Sequence, residues 1–283
     1  MRLDELAGAR VLMLGLGIDN LAALAAVSGA GPASLTAAVD DVDAVTDADC
    51  LVLVAAGAEL VTTALAIDVV EAAGGGSGLR GGSGSSEGSV VVLRAPGYPR
   101  HGPVCARLER SGARFTTAVD LWMGTYGSDR EVVGITGTKG KSTVSDLVGR
   151  LAAAHGLRVG VAGNLGPPVF GDTCDHQAPA VALEVSSYQA ADLHHVPDIA
   201  VVTHLAEDHL SWHGGVDRYV ADKLRLLRNE GGTAGTILVA ESSAAASDLF
   251  TWASPSTSRR TLRPLANCSP WNSGRSDMAL SLC

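Results

Sequence analysis

The sequence lacks what would take a protein to nucleic acid, into a membrane or out of the cell. There is no basic run: 21 lysines and arginines stand against 30 acids, a formal net charge of −9. Phosphate backbones are held by clustered lysine and arginine, so no nucleic-acid partner is expected. No run of about 18 apolar residues is present, which excludes a helical membrane span. The opening Met1-Arg2-Leu3-Asp4-Glu5 is acidic and leads into no secretory apolar stretch. The five cysteines, Cys50, Cys105, Cys174, Cys268 and Cys283, show neither metal nor redox spacing, and an odd number suits a reducing compartment better than a disulfide framework. These absences give the expectation of a cytoplasmic protein. What is present is apolar: 46% of the 283 residues are hydrophobic, enough to fill one large or two ordinary domains.

The most informative stretch is residues 131–143, Glu-Val-Val-Gly-Ile-Thr-Gly-Thr-Lys-Gly-Lys-Ser-Thr, followed by a helical pattern over 144–155. A β-branched run that stops at glycines and continues as a helix turns unpaired backbone N–H groups, a lysine and a hydroxyl toward one point, which suits a phosphate. The strict G-x-x-x-x-G-K-[ST] spacing fails, because Ile135 stands five residues before Gly140. Gly137-Thr138-Lys139-Gly140-Lys141-Ser142-Thr143 instead gives a tighter G-T-x-G-K-[ST]-T. By role the loop amides would hold ATP phosphates, Lys141 would neutralise β/γ oxygens, and Ser142 or Thr143 would bind Mg²⁺. The plainer alternative is a Gly-Lys-Ser turn that only caps a helix.

Upstream, residues 9–15 read as a buried strand entering Gly15-Leu16-Gly17-Ile18-Asp19-Asn20, with a helix over 21–30. This is an incomplete dinucleotide-type turn, since Asn20 replaces the third glycine. Asp40 or Asp41, after a strand at 34–39, stands about where a ribose-binding acid belongs. Gly15 and Gly17 could equally make a tight turn with no ligand. Strands are expected at 50–55 and 90–93 and helices at 59–73 and 104–112. Residues 115–126 connect onward, with a boundary near Gly127-Ser128-Asp129-Arg130. Strands alternating with helices imply a parallel sheet. The Gly/Ser-rich stretch 74–88 has almost nothing to bury and is expected to be a flexible insert.

In the second half, strands are expected at 158–162, 178–185, 198–203 and 236–240, and a basic amphipathic helix at 217–229. Glu184 is the lone charge of an apolar strand, near the carboxyl end where open α/β sheets bind ligands; Mg²⁺ would be its partner there, a surface site the alternative. After the next strand comes His204-Leu205-Ala206-Glu207-Asp208-His209-Leu210-Ser211-Trp212-His213-Gly214-Gly215, a polar cluster. Zinc stays open for it, although no cysteine or H-E-x-x-H accompanies it, and a Mg²⁺ completed by phosphates needs only one or two protein ligands. His204 and His213, taken singly, read as solvated loop residues, and Lys223, by spacing alone, as a surface lysine. Residues 241–283 show no sustained periodicity and receive no fold.

Taken in order, Gly137–Thr143, Gly163-Asn164-Leu165-Gly166, Leu183-Glu184-Val185-Ser186-Ser187-Tyr188-Gln189, Glu207-Asp208-His209 and Tyr219-Val220-Ala221-Asp222-Lys223 resemble the Mur ligases, the ATP-dependent amide ligases of peptidoglycan precursor synthesis, and most closely their glutamate-adding branch. The resemblance implies an α/β chain: a Rossmann-like UDP-substrate domain at 1–127, a P-loop central domain with a mostly parallel sheet at 128–240, and an irregular tail at 241–283 in place of the family's third domain. It implies that the carboxylate of UDP-N-acetylmuramoyl-L-alanine attacks ATP, and that glutamate's amine then displaces phosphate from the acyl phosphate. Ser142 and Glu184 would hold a first Mg²⁺ and His209 a second, with Lys223 carbamylated beside it. Lys141, His209 and Lys223 would be catalytic. Asn164, Ser186 and Ser187 would contact substrate or nucleotide, and Gly15, Gly17 and Asp40 the UDP moiety, although Ala95-Pro96-Gly97 has alanine where the family has serine. The Lys139 form of the loop and residues 207–215 look like the L-glutamate rather than the D-glutamate branch. The lost pattern after about residue 248 gives the expectation of a truncated or frameshifted, catalytically crippled chain, working as a monomer if it works at all. Folylpolyglutamate synthase, which shares the loop, and a non-catalytic nucleotide-binding remnant are the competing readings.

Overall fold

The structure, a computed structural model, describes residues 1–74 and 88–240. The body of the insert expected at 74–88 and the whole of 241–283, with Cys268 and Cys283, lie outside the described residues. Two parallel sheets follow one another along the chain. The first is built by β1 (Arg10–Leu14), α1 (Ile18–Gly29), β2 (Ser34–Val39), α2 (Asp47–Ala55), β3 (Glu59–Thr62), α3 (Thr63–Gly74), β4 (Val90–Arg94), α4 (Pro103–Arg110) and β5 (Arg114–Thr116). Its strand order is β3-β2-β1-β4-β5, all parallel. The order reverses between β1 and β4, which opens a crevice beyond their carboxyl ends.

α5 (Ala118–Tyr126) leads to the second sheet: β6 (Glu131–Thr136), α6 (Lys141–Ala154), β7 (Val159–Gly163), β8 (Ala180–Glu184), α7 (Ser187–Ala190), β9 (Ile199–Val202), α8 (Leu210–His213), α9 (Val216–Leu224), a small antiparallel pair β10 (Arg228–Asn229) and β11 (Gly232–Thr233), and β12 (Thr236–Val239). The order is β12-β9-β6-β8-β7, again parallel, so β6 lies between β8 and β9. The ends of these three strands therefore meet at one edge. α5 serves both cores: Ala118 and Leu121 pack with the first sheet, Val119, Trp122 and Met123 with the second. No helix among the described residues is long and apolar enough to cross a membrane.

Several expected elements differ. The apolar run at 50–55 is helix, not strand, because Thr46 caps it by accepting the Asp49 amide at 3.1 Å. Of that run only Leu53 is buried, while Leu51 and Val54 are 71% and 74% exposed, a pattern no central strand would show. The third strand is instead Glu59–Thr62, which takes the first turn of the helix expected at 59–73. The 115–126 connection contains β5 and α5, and the helix expected at 217–229 ends at Leu224.

Arg94, fully buried at the end of β4, joins the two units. Its Nε donates to Asp192 Oδ2 at 2.6 Å and its Nη2 to the Tyr188 carbonyl at 2.6 Å, while Nη1 holds the carbonyls of Ala95, Pro96 and Tyr98 at 3.1, 3.0 and 2.8 Å. Arg100 adds a second guanidinium to Asp192. Gln189 Nε2 donates to Asp19 at 2.9 Å and Trp212 Nε1 to the Gly97 carbonyl at 3.2 Å. Removing one partner of a buried ion pair strands the other charge. Asp192→Ala is therefore expected to lower the free energy of unfolding by about 3 kcal/mol in urea titrations. Asp146→Ala, which breaks an exposed pair with Arg150 (77% and 59% exposed), should change it by under about 0.5 kcal/mol.

Candidate active site

The loop after β6 is built for close approach by another group. Gly137 has φ 145°, and a Cβ there would lie 2.1 Å from Thr203 Oγ1, so a side chain is excluded. Gly140, at φ 88°, is the N-cap of α6 and offers no side chain to its first amides. The exit of β9 fastens this loop: the Thr138 amide donates to the His204 carbonyl at 2.5 Å, the Ala206 amide to Thr138 Oγ1 at 3.0 Å, and Thr203 Oγ1 to the Lys139 carbonyl at 2.6 Å. The Tyr219 hydroxyl, from α9, lies 2.6 Å from Thr138 Oγ1.

Four charged side chains gather around the loop. Lys141 Nζ donates to the Thr138 carbonyl at 3.4 Å. Lys223, expected from spacing to be solvated, is 2% exposed, and its Nζ donates to the Gly137 carbonyl at 2.9 Å. Burial first, and then the charge of Lys141, pull the Lys223 amine down to about 7, against the opposing pull of Asp208 and Glu184. Glu184, at the end of β8, is 2% exposed; it accepts from Asn164 Nδ2 at 3.3 Å and forms no ion pair among the described residues. Lys139, Lys141 and Lys223 are the three lysines of the whole sequence. His209 is the one non-glycine residue of positive φ (50°) among the described residues, placed as N-cap of α8. It is about half exposed, lies 3.5 Å from Asp208 Oδ2 and faces the Tyr188 ring at 4.9 Å, so it joins the group through Asp208.

A concavity of about 710 Å³ lies in the β1/β4 crevice. Gly15, Gly17 and Asp40 line it, as do Asp19, Tyr98, Asn164 and Tyr188, so Asn164 touches both sites. Gly15 has φ 84°, and a Cβ there would meet Ala95 at 3.1 Å. Asn20, standing in for the third glycine, is buried and donates to the Gly15 and Leu93 carbonyls at 2.9 and 3.1 Å, strapping the exits of β1 and β4 together.

Ser186 and Ser187, expected to contact substrate or nucleotide, are 9% and 2% exposed, with their hydroxyls engaged within the fold. Ser186 Oγ caps α7 by accepting the Gln189 amide at 3.2 Å, and Ser187 Oγ lies 3.0 Å from His213 Nε2. His213, read as a solvated loop residue, is fully buried, whereas His204 is held by a backbone bridge to Lys139. Arg94 was missed, although the signal used for Glu184, a lone charge ending an apolar strand, applies equally to Val90–Arg94.

Comparison with known proteins follows this geometry. Residues 135–262 match the Mur ligase middle domain, which holds the glycine loop, Glu184, His209 and Lys223. The chain carries a Mur ligase middle domain over these residues. It is 38% identical over 228 residues to the UDP-N-acetylmuramoyl-L-alanine--L-glutamate ligase of Salinispora tropica, a match covering 80% of this chain and 46% of that protein. The same-named ligase of a Micromonospora species is 39% identical over 80% of this chain and 45% of its own. The UDP-N-acetylmuramoylalanine--D-glutamate ligase of Mycolicibacterium smegmatis is 33% identical over 78% and 41%. The chain thus spans less than half the length of these relatives. Among solved structures, the UDP-N-acetylmuramate:L-alanyl-gamma-D-glutamyl-meso-diaminopimelate ligase from Neisseria meningitides superposes with a TM-score of 0.51, covering 87% of this chain and 75% of that one. At 17% identity that likeness concerns the α/β fold alone.

The Mur-type cluster makes a signed prediction for Lys223. Its amine should titrate near pH 7 in ¹⁵N-lysine NMR, where only three side-chain amines contribute. Lys141→Met should raise the midpoint by removing a like charge, and Asp208→Asn should lower it by removing an attractive one. Because the folded amine holds its proton less tightly than the unfolded one, its burial penalty is full below pH 7 and fades as pH rises toward the ordinary lysine range.

Proposed function

We propose that this chain binds ATP with Mg²⁺ at the Gly137–Thr143 loop and a UDP-linked sugar acid in the β1/β4 crevice. The proposed reaction is the addition of glutamate to UDP-N-acetylmuramoyl-L-alanine through an acyl phosphate, in the cytoplasmic stage of peptidoglycan precursor synthesis. The observation that carries this reading is the convergence of Lys141, Glu184 and buried Lys223 on one glycine loop whose backbone excludes side chains. The names of the Salinispora and Micromonospora relatives favour L- over D-glutamate for this chain.

The residues suit the ions the reaction needs. Glu184 is a buried carboxylate with an amide donor and no basic partner among the described residues, and Ser142 is an exposed hydroxyl at the start of α6; together they would hold one Mg²⁺. His209 would hold a second. Bound there, Mg²⁺ would neutralise charge on the phosphoryl oxygens. Lys141 adds a fixed positive charge, and the uncapped amides of α6 orient the phosphates. Lys223, neutral for much of the time near pH 7, can attack CO₂: an N–C bond forms, the nitrogen loses a proton, and the cation becomes a carboxylate-like carbamate able to support the second ion. Asn164, which lines the crevice and donates to Glu184, would stand between the sugar's acid and the phosphates.

A second reading, in which the chain binds nucleotides without turning them over, makes a different prediction. Calorimetry with UDP-N-acetylmuramoyl-L-alanine and with Mg²⁺ and a non-hydrolysable ATP analogue, followed by an amide-formation assay, separates the two. Binding of both with amide formed supports the ligase; binding without turnover supports the second reading. Lys141→Ala should weaken the ATP analogue by about 100-fold and leave the UDP ligand within about twofold. Unchanged analogue affinity would remove the loop from the mechanism.

A further inference from the structure

The polar cluster after β9 contains a histidine that the ligase reading does not use. His213, the last residue of α8, is fully buried. Its neighbours are neither His204 nor His209. They are His101, from the segment between β4 and α4 in the first unit, and Asp222 of α9. His213 Nδ1 lies 2.6 Å and His101 Nε2 2.8 Å from the same oxygen, Asp222 Oδ2, and the three donor atoms all fall within 4.8 Å of one another. We propose that His101, His213 and Asp222 form a site for a divalent transition-metal ion of the zinc class, clasping the two sheet units together.

The donor chemistry favours that class of ion. Two imidazoles and one carboxylate are a zinc-type set, whereas Mg²⁺ prefers oxygen donors and Cu(I) thiolates. The orientation is already provided: the ring nitrogen of His213 that faces away from Asp222 lies 3.0 Å from Ser187 Oγ, the outer contact that fixes a ligating ring. Aromatic rings surround the pair, with Trp212 edge-on to both imidazoles at 5.9 and 4.5 Å and Tyr188 and Tyr219 against His213 at 5.7 and 5.2 Å. His101 is the exposed member, and His213 and Asp222 are buried. An ion bound at the His213 Nδ1 and His101 Nε2 atoms would require the ring proton on the other nitrogen of each ring, which on His213 faces Ser187 Oγ. Asp222 and Lys223 are adjacent but turn apart, one to this cluster and the other to the Gly137 carbonyl.

The test is titration of the chelator-treated full chain with ZnCl₂ by calorimetry, and with Co²⁺ by visible absorption, in buffer containing Mg²⁺. One equivalent of Zn²⁺ and a tetrahedral Co²⁺ spectrum are expected. His101→Ala and His101→Gln, both at an exposed position, should weaken binding by at least about 10-fold while thermal unfolding of the metal-free variants stays near that of the parent. Ser187→Ala should weaken it by about 10-fold. Absence of saturable binding, or binding that both His101 variants leave unchanged, as scattered thiols would give, overturns the site. Neither result depends on whether the chain turns over ATP, so this proposal and the ligase reading fail separately.

Discussion

Keeping an amine out of water under the glycine loop is the constraint on which the shape of this site depends. Lys223 can be buried only because the Gly137 carbonyl accepts from it and because Asp208 and Glu184 offset the nearby charge of Lys141. That arrangement fixes α9 against the loop. Tyr219, one turn earlier on the same helix, fastens Thr138. The loop is therefore held by backbone geometry on one side and by a helix on the other, so its amides are fixed by the fold itself.

The crevice and the loop are linked through the chain between them. Residues 95–98 line the crevice of the first sheet, while the carbonyls of Ala95, Pro96 and Tyr98 are gripped by Arg94, whose guanidinium also holds Asp192 and Tyr188 of the second unit. Asn164 faces the crevice and also donates to Glu184. A displacement of the second unit would thus be felt at the crevice wall through a charge that has nowhere else to go.

The local signals in the sequence were largely legible. The strand, glycine turn and helix at 131–154, the lone Glu184 at a strand end, and the glycine turn at Gly15 are patterns within a few residues, and backbone sterics decide them. The run at 50–55 misled because a short apolar stretch fits strand and helix alike, and the deciding signal was the Thr46 cap outside it. Burial set by distant partners was not legible. His213 meets His101 from more than a hundred residues away, and Lys223 meets a carbonyl on the far side of the sheet edge, so spacing alone assigned both to solvent. The engagement of the Ser186 and Ser187 hydroxyls was equally hidden, because a hydroxyl used by a cap or a ring is indistinguishable in sequence from a free one.

The confinement of all lysine to the neighbourhood of one loop has a practical corollary. Apart from the terminal amine, any reagent that modifies primary amines can report only on the surroundings of this loop, and its three targets differ widely in reach: Lys139 is open to solvent, Lys141 half covered and Lys223 enclosed. Graded labelling of the folded protein would therefore read out, residue by residue, how far the loop is covered.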